Sequence, residues 1–340
     1  MIAFSLLQRG LMVIHAIART QRLAAAIALV AWSAWVAPAS AQSYPDRPIK
    51  LISASAAGST PDVLARLIAD GLSPRLGQPV VVDNRPGAGQ SIAIKVVGSA
   101  EPDGYTLLFG NTGSLAINPA LYPKLDFSVN RTLVAVALVA TTPNLLVVTQ
   151  TLPVQTAAEL VAYAKSHPRQ LSFGASLGTP PHLLGEYFRA KTMTDIVYVP
   201  YKGGSQAVPD LLAGRIQIGA DAPALMMPHI RAGKVRPLVV TSVSRLPEVP
   251  DVPTLNEIGI DGYPPQTWMG VVAPSGTPGA IVSQLNAVIN DVVRSEDTQA
   301  RLAQLGFTAH SGSPQEFAAL IAEDATKWAA VVKLTGATGD

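Results

Sequence analysis

The sequence predicts an α/β protein of about two domains, in which mainly parallel sheets carry helices on their faces. Three observations predict it. Short runs rich in Val, Ile and Leu alternate with stretches of helical periodicity along most of the chain. Glycines stand where several helical stretches would end. Setting aside an N-terminal leader leaves Gln42 to Asp340, 299 residues, which suits two domains.

The leader is read first because it does not belong to the fold. Arg19 and Arg22 precede the apolar run Leu23 to Ala37, and Ala39-Ser40-Ala41 places small residues before Gln42. This pattern predicts a signal peptide over 1–41, cleaved to release an exported protein. The apolar run is shorter than the ~20 residues of a spanning helix, and Pro38 closes it, so the mature protein is expected to lie outside the membrane. Loss of Arg9, Arg19 and Arg22 takes the formal charge from +2 to −1. Nothing basic remains to attract nucleic acid. The chain has no cysteine, which excludes disulfides and thiolate chemistry. Its remaining histidines, His167, His182, His229 and His310, are too scattered for a preformed metal site. No metal or cofactor is expected.

In order, IKLISAS (Ile49 to Ser55) reads as a strand, and PDVLARLIADGL as a helix with Val63, Leu64, Leu67 and Ile68 on one face. PVVVDN, GQSIAIKVVGSA and YTLLFGN continue the alternation. After LLVVTQ come AAELVAYAKS, LSFGAS, HLLGEYFRAK, DIVYVPY, QAVPDLLAGR, IQIGAD, APALMMPHIRAG and RPLVVTS. Gly71, Gly214 and Gly233 are expected to end helices. The proline-rich stretch 245–265 reads as a surface connector. After WMGVVAP, two long helical patterns close the chain.

Ligands of such sheets bind beyond the carboxyl ends of the strands, so the loops there are the candidates. Gly58-Ser59-Thr60-Pro61 follows the first strand, and Gly178-Thr179-Pro180 follows LSFGAS. In each, the threonine is expected to cap a helix that begins at the proline. A helix start attracts an anion through its N–H groups and dipole without a charged side chain, so two such loops facing each other would grip a small acid. On this reading Gly58 and Gly178 admit the backbone close to one carboxylate, and a valine at either would block it. Asn111, Thr112 and Asp221 end strands and offer polar groups. Tyr201-Lys202-Gly203 follows another strand, with Ser205 as the expected cap behind it. RPGAGQ (Arg85 to Gln90) lacks the lysine of a phosphate loop and the third glycine of a dinucleotide fingerprint.

Gly174-Ala175-Ser176-Leu177-Gly178 formally matches the G-x-S-x-G nucleophile elbow, with Asp221 and His229 or His310 in triad order. An elbow serine runs almost directly into its helix, whereas Gly178-Thr179-Pro180-Pro181 delays the helix here. A serine hydrolase using Ser176 is therefore the alternative and a receptor the main reading.

The segments YPDRPIKLISASAAGSTPDVLARL, EPDGYTLLFGNTGSLAINPALY, GTPPHLLGE, VPYKGG, LLAGRIQIGAD, PHIRAGKVRPLVVTS, PEVPDVPTLNEIG and WMGVVAPSGTP resemble, in order, the Bug-type solute receptors of tripartite tricarboxylate transporters. The resemblance runs from Tyr44 to about Leu334. It implies a two-lobed, type II periplasmic-binding-protein fold that closes on a small organic acid and delivers it to the membrane components of a transporter, without catalysis. It points to Gly58, Ser59 and Thr60 facing Gly178 and Thr179 across the cleft, with Asn111, Thr112, Tyr201, Lys202, Gly203 and Asp221 lining it and Trp268 as a candidate neighbour. The chain departs from the family in Ser53-Ala54-Ser55-Ala56-Ala57, which lacks the usual prolines and aromatic, and in Ser59, where a second glycine is usual. The expected division is lobe I at 44–145 plus 268–340 and lobe II at 146–267, with hinges near Leu146 to Thr149 and Gly270 to Ala273. A monomer is expected. An orphan sensor serving a signalling partner is a further alternative.

Overall fold

A computed structural model describes residues 44–122 and 129–339; the predicted signal peptide lies outside the described residues. The first sheet is built from β1 (Ile49–Ser53), β2 (Val80–Asn84), β3 (Thr106–Asn111) and β4 (Leu133–Thr142), with α1 (Thr60–Leu76) and α2 (Ser91–Gly98) between them. The second sheet takes β5 (Leu145–Thr149), β6 (Ser172–Ser176), β7 (Val197–Tyr201), β8 (Ile218–Asp221) and β9 (Val235–Val240). Its helices are α3 (Ala157–Ser166), α4 (Pro180–Thr192), α5 (Gly204–Leu212) and α6 (Pro223–Arg231). The chain then returns to the first sheet through β10 (Thr267–Pro274), α7 (Gly279–Arg294), α8 (Glu296–Gln304), β11 (Thr308–Ala309) and α9 (Pro314–Thr335).

Strand order is β11-β4-β10-β3-β1-β2 in the six-stranded sheet and β7-β6-β8-β5-β9 in the five-stranded one. Ladder directions make β1 to β4 run one way, with β10 and β11 reversed. In the second sheet only β5 is reversed. The alternation of strand and helix predicts uniform direction; β5 and β10 break it because each enters its sheet from the other lobe without a crossover helix. β5 follows β4 after only Pro143 and Asn144.

Three local expectations change. Gly71 does not end α1, which runs on to a left-handed Gly77 at φ 67°; a Cβ on Gly71 would meet Val292 of α7 at 2.5 Å, so the glycine serves close helix packing. The buried face of α1 is Leu64, Ala65, Ile68, Ala69 and Leu72, while Val63 points to solvent. The 245–265 connector is not merely wrapped on the surface: Val252, Leu255, Ile260 and Tyr263 are buried, and the Tyr263 hydroxyl donates to Pro180 O at 2.6 Å.

The expected hinge segments lie inside the ladders of β5 and β10. The chain crosses between lobes instead at Pro143-Asn144 and ahead of Thr267. There the Asn144 N–H donates to Thr241 Oγ1 and the Thr241 N–H to Asn144 O, both at 2.9 Å. Asn144 Nδ2 donates to Thr267 Oγ1 at 2.9 Å, tying both crossings together.

Candidate functional site

Between the two sheets lies a cavity of about 680 Å³. Of the predicted site residues, Ser59, Thr60 and Asn111 line it from the first lobe, and Thr179, Tyr201, Lys202, Gly203 and Asp221 from the second. Gly58, Thr112 and Gly178 do not line it.

Each of the three absentees has a physical reason. The Gly58 N–H donates to Asp62 Oδ2 at 2.8 Å, so it is engaged within its own loop. Burial pushes the Asp62 carboxyl up, but hydrogen bonds from Arg66, Gly58 and Asn84 outweigh this and hold it below the usual carboxylate range. Thr112 is fully buried, its Oγ1 accepting from Trp268 N at 2.8 Å. Trp268 is itself core, packed edge-on against Phe317 and donating through Nε1 to Asp324 at 2.6 Å. Gly178, at φ 74°, packs across the cleft: a Cβ there would stand 3.1 Å from Asn118 Oδ1 and 3.4 Å from Leu121 Cδ2. Its carbonyl oxygen lies 2.7 Å from where Gly113 would carry a Cβ.

The main feature of the cavity is its ring of helix starts. Ser59, Gln90, Thr179, Gly203 and Ala222 are the N-cap residues of α1, α2, α4, α5 and α6, and all five line it. The cap of α1 is thus Ser59 rather than Thr60, and that of α5 is Gly203 rather than Ser205. Only Thr179 caps its helix with a side chain, accepting from His182 N at 3.5 Å. Ser59 Oγ turns away to donate to Ala56 O at 2.6 Å. Helix starts whose N–H groups find no side chain need water or a ligand, and their dipoles favour a negative one. Ala54, Ser55 and Ala56, in place of the bulkier loop of the resemblance, leave room beside them.

One acid stands among these positive ends. Asp221 Oδ1 accepts from Ala222 N at 2.8 Å and, across the cleft, from Thr60 Oγ1 at 3.4 Å. Burial pushes its carboxyl up to about 6, more than these hydrogen bonds lower it. A Cβ on Gly204 would collide with Asp221 Oδ2, so the start of α5 lies directly against this carboxylate. Tyr201 is tied back, its hydroxyl donating to Asp210 at 2.7 Å, whereas Lys202 is exposed at the rim.

Sequence reasoning did not single out Gln90, Asn144, Tyr122 or Gly339, all of which line the cavity. Gln90 sits in RPGAGQ, a string weighed as a failed nucleotide motif. Its left-handed conformation, φ 74°, turns it into the start of α2 instead.

Ser176 is the last residue of β6, and its carbonyl accepts from Thr179 Oγ1 at 2.6 Å. Among the described residues no triad forms around it. His310 pairs with Thr141 at 3.0 Å, and Asp221 bonds Ala222 and Thr60 rather than a histidine.

Two lobes with a cleft between them, ringed by helix starts, define a solute receptor of the periplasmic-binding-protein class. The family model "tripartite tricarboxylate transporter family receptor" matches residues 64–337. BugT of Bordetella pertussis is 37% identical over 319 residues, covering 93% of this chain and 98% of BugT. Among solved structures, Rpa4515 of R. palustris with adipate has a TM-score of 0.82 at 37% identity, covering 86% of this chain and 98% of that one. MatC (Rpa3494) of Rhodopseudomonas palustris with bound malate has a TM-score of 0.81 at 32% identity, covering 85% and 100%. The chain belongs to the tripartite tricarboxylate transporter receptor family. No helix among the described residues is long and apolar enough to cross a membrane.

Proposed function

We propose that this receptor, released into the periplasm by cleavage before Gln42, binds a small carboxylate in the cleft as a monomer and presents it to the membrane components of its transporter. The observation that carries the reading is the convergence of five helix starts, four without a side-chain cap, on one cavity. Ser59 and Thr60 hold the carboxylate from lobe I. Thr179, Gly203 and Gly204 hold it from lobe II. Adipate on Rpa4515 and malate on MatC support a carboxylate as the ligand class. Asn111, Tyr201 and Lys202 shape the rest of the pocket, and no bond is made or broken. Lobe I is the six-stranded sheet with its helices and lobe II the five-stranded one.

A thermal-shift screen of small acids tests this. At 100 times its dissociation constant a ligand stabilises the fold by about 2.7 kcal/mol, a readily measured rise. The matching neutral amide is expected to give little or none, because helix starts favour negative charge. Equal shifts from acid and amide would contradict the reading.

A further inference from the structure

The segment that follows α9 does not trail into solvent. After the left-handed Gly336, at φ 66°, it runs back to the cleft, where the Gly339 N–H donates to Leu121 O at 3.1 Å. Ala337 packs against the core on the way, and Gly339 lines the cavity between the sheets. A Cβ on Gly339 would overlap the Tyr122 ring at Cδ1 and Cε1, so no side chain fits there unless the ring moves. The opposite edge of that ring lies equally close to Gly89, where a Cβ would overlap Cε2 and the hydroxyl. Tyr122 is thus held between two glycines, and all three residues line the cavity.

These residues support the ledge on which the second lobe closes. A Cβ on Gly178 would stand 3.1 Å from Asn118 Oδ1, 3.4 Å from Leu121 Cδ2 and 3.8 Å from Gly89 Cα. All three are tied to the segment after α9: Leu121 through its carbonyl, Gly89 through the Tyr122 ring, and Asn118 through its side-chain amide, which donates to Gly89 O. Asn118 and Leu121 are the two ends of a helix of four residues, too short to hold a fixed position without tertiary support. α9 itself is already seated against the second lobe, its Trp328 packing edge-on against Tyr263 at 5.3 Å.

We propose that residues 336–339 form a strap that braces this ledge and thereby sets how firmly the two lobes stay closed. The proposal rests on the closure of the lobes around a solute described above and adds the element of this chain that controls it. With the strap seated, Tyr122 cannot swing away, and Gly89, Asn118 and Leu121 meet Gly178 as one fixed surface. With the strap displaced, Tyr122 is free to leave and the short helix loses its support. The lobes then part more often, and a bound solute escapes sooner.

Hydrogen exchange of the unliganded receptor, read by mass spectrometry, tests this on two variants. Deletion of 337–340 removes the strap and leaves α9 whole, with its buried Trp328, Val331 and Val332. Gly339→Val keeps the full chain but drives the strap and Tyr122 apart. In both, exchange is expected to rise about tenfold over 176–182 in the second lobe as well as over 113–122 in the first, while β1 and β8 keep their wild-type rates. Thr338→Ala, at an exposed position of the same segment, should change nothing. Wild-type exchange over 176–182 in both variants overturns the proposal, because a strap that merely supports its own lobe would loosen 113–122 alone. No ligand is present in this measurement, so its outcome stays separate from the comparison of acid with amide that decides the carboxylate reading.

Discussion

Asp221→Asn is expected to make the unliganded receptor more stable at pH 7, by up to about 3 kcal/mol. Burial pushes the Asp221 carboxyl from 3.8 to about 6 in the fold. The folded state therefore holds this proton more tightly than the unfolded chain. Its contribution is fully present below pH 3.8 and is lost as pH rises through about 6, so at neutral pH the ionised group opposes folding. An asparagine keeps an acceptor for Thr60 and Ala222 and has no charge to bury. The gain should shrink below about 1 kcal/mol near pH 4, where the wild-type carboxyl is protonated in the fold. Denaturant melts of wild type and mutant between pH 4 and 7.5 give the difference directly. A mutant less stable than wild type at pH 7, or a gain independent of pH, would show that the carboxylate is structural.

The second large effect separates two glycines that the sequence treats alike. Both Gly58 and Gly178 have positive φ, at 75° and 74°. Valine at either position should cost roughly 1–2 kcal/mol in backbone strain. Around Gly58 a Cβ would meet nothing within 4 Å, and the N–H there is already bound to Asp62. Gly58→Val should thus leave ligand affinity within about threefold of wild type, the strain being common to free and bound states. At Gly178 a Cβ already sits tight against Asn118 and Leu121 of the opposite lobe, and the two further methyls of valine have no room while the lobes are together. Gly178→Val should hold the lobes apart and lower affinity about tenfold or more, as expected when the binding-competent state is depopulated. Titration of both mutants with the same ligand, each referred to its own unliganded melt, decides. Equal losses of affinity would return both glycines to direct contact with the ligand.

This contrast shows where the sequence was legible. Strand, helix and loop order follow from periodicity, and Asp221 and Thr179 fall where a strand end and a helix cap predict, whereas the cap of α1 is Ser59, one residue before the expected Thr60. Gly58 and Gly178 were equivalent as letters because a Gly-x-Thr-Pro or Gly-Thr-Pro string reports the turn but not what faces it. Only the closure of one lobe on the other puts Asn118 against Gly178 and leaves Gly58 in the open. Thr112 looked like a strand-end donor, yet its hydroxyl pairs with the backbone of Trp268, a residue 156 positions away. Gln90 was hidden for a local reason: its cavity position depends on a left-handed backbone that no propensity favours for glutamine. The reversed β5 and β10 were missed because periodicity reports strand existence and never direction.

A crystal structure of the receptor with its tightest-binding acid tests the central claim most directly. The account predicts the ligand between the sheets, with its carboxylate oxygens about 2.7–3.2 Å from N–H groups at the helix starts around Thr60 in one lobe and around Thr179 or Gly204 in the other, directly or through one ordered water. A ligand bound outside the cleft, or one inside it whose carboxylate faces solvent or pairs only with Lys202, would contradict it.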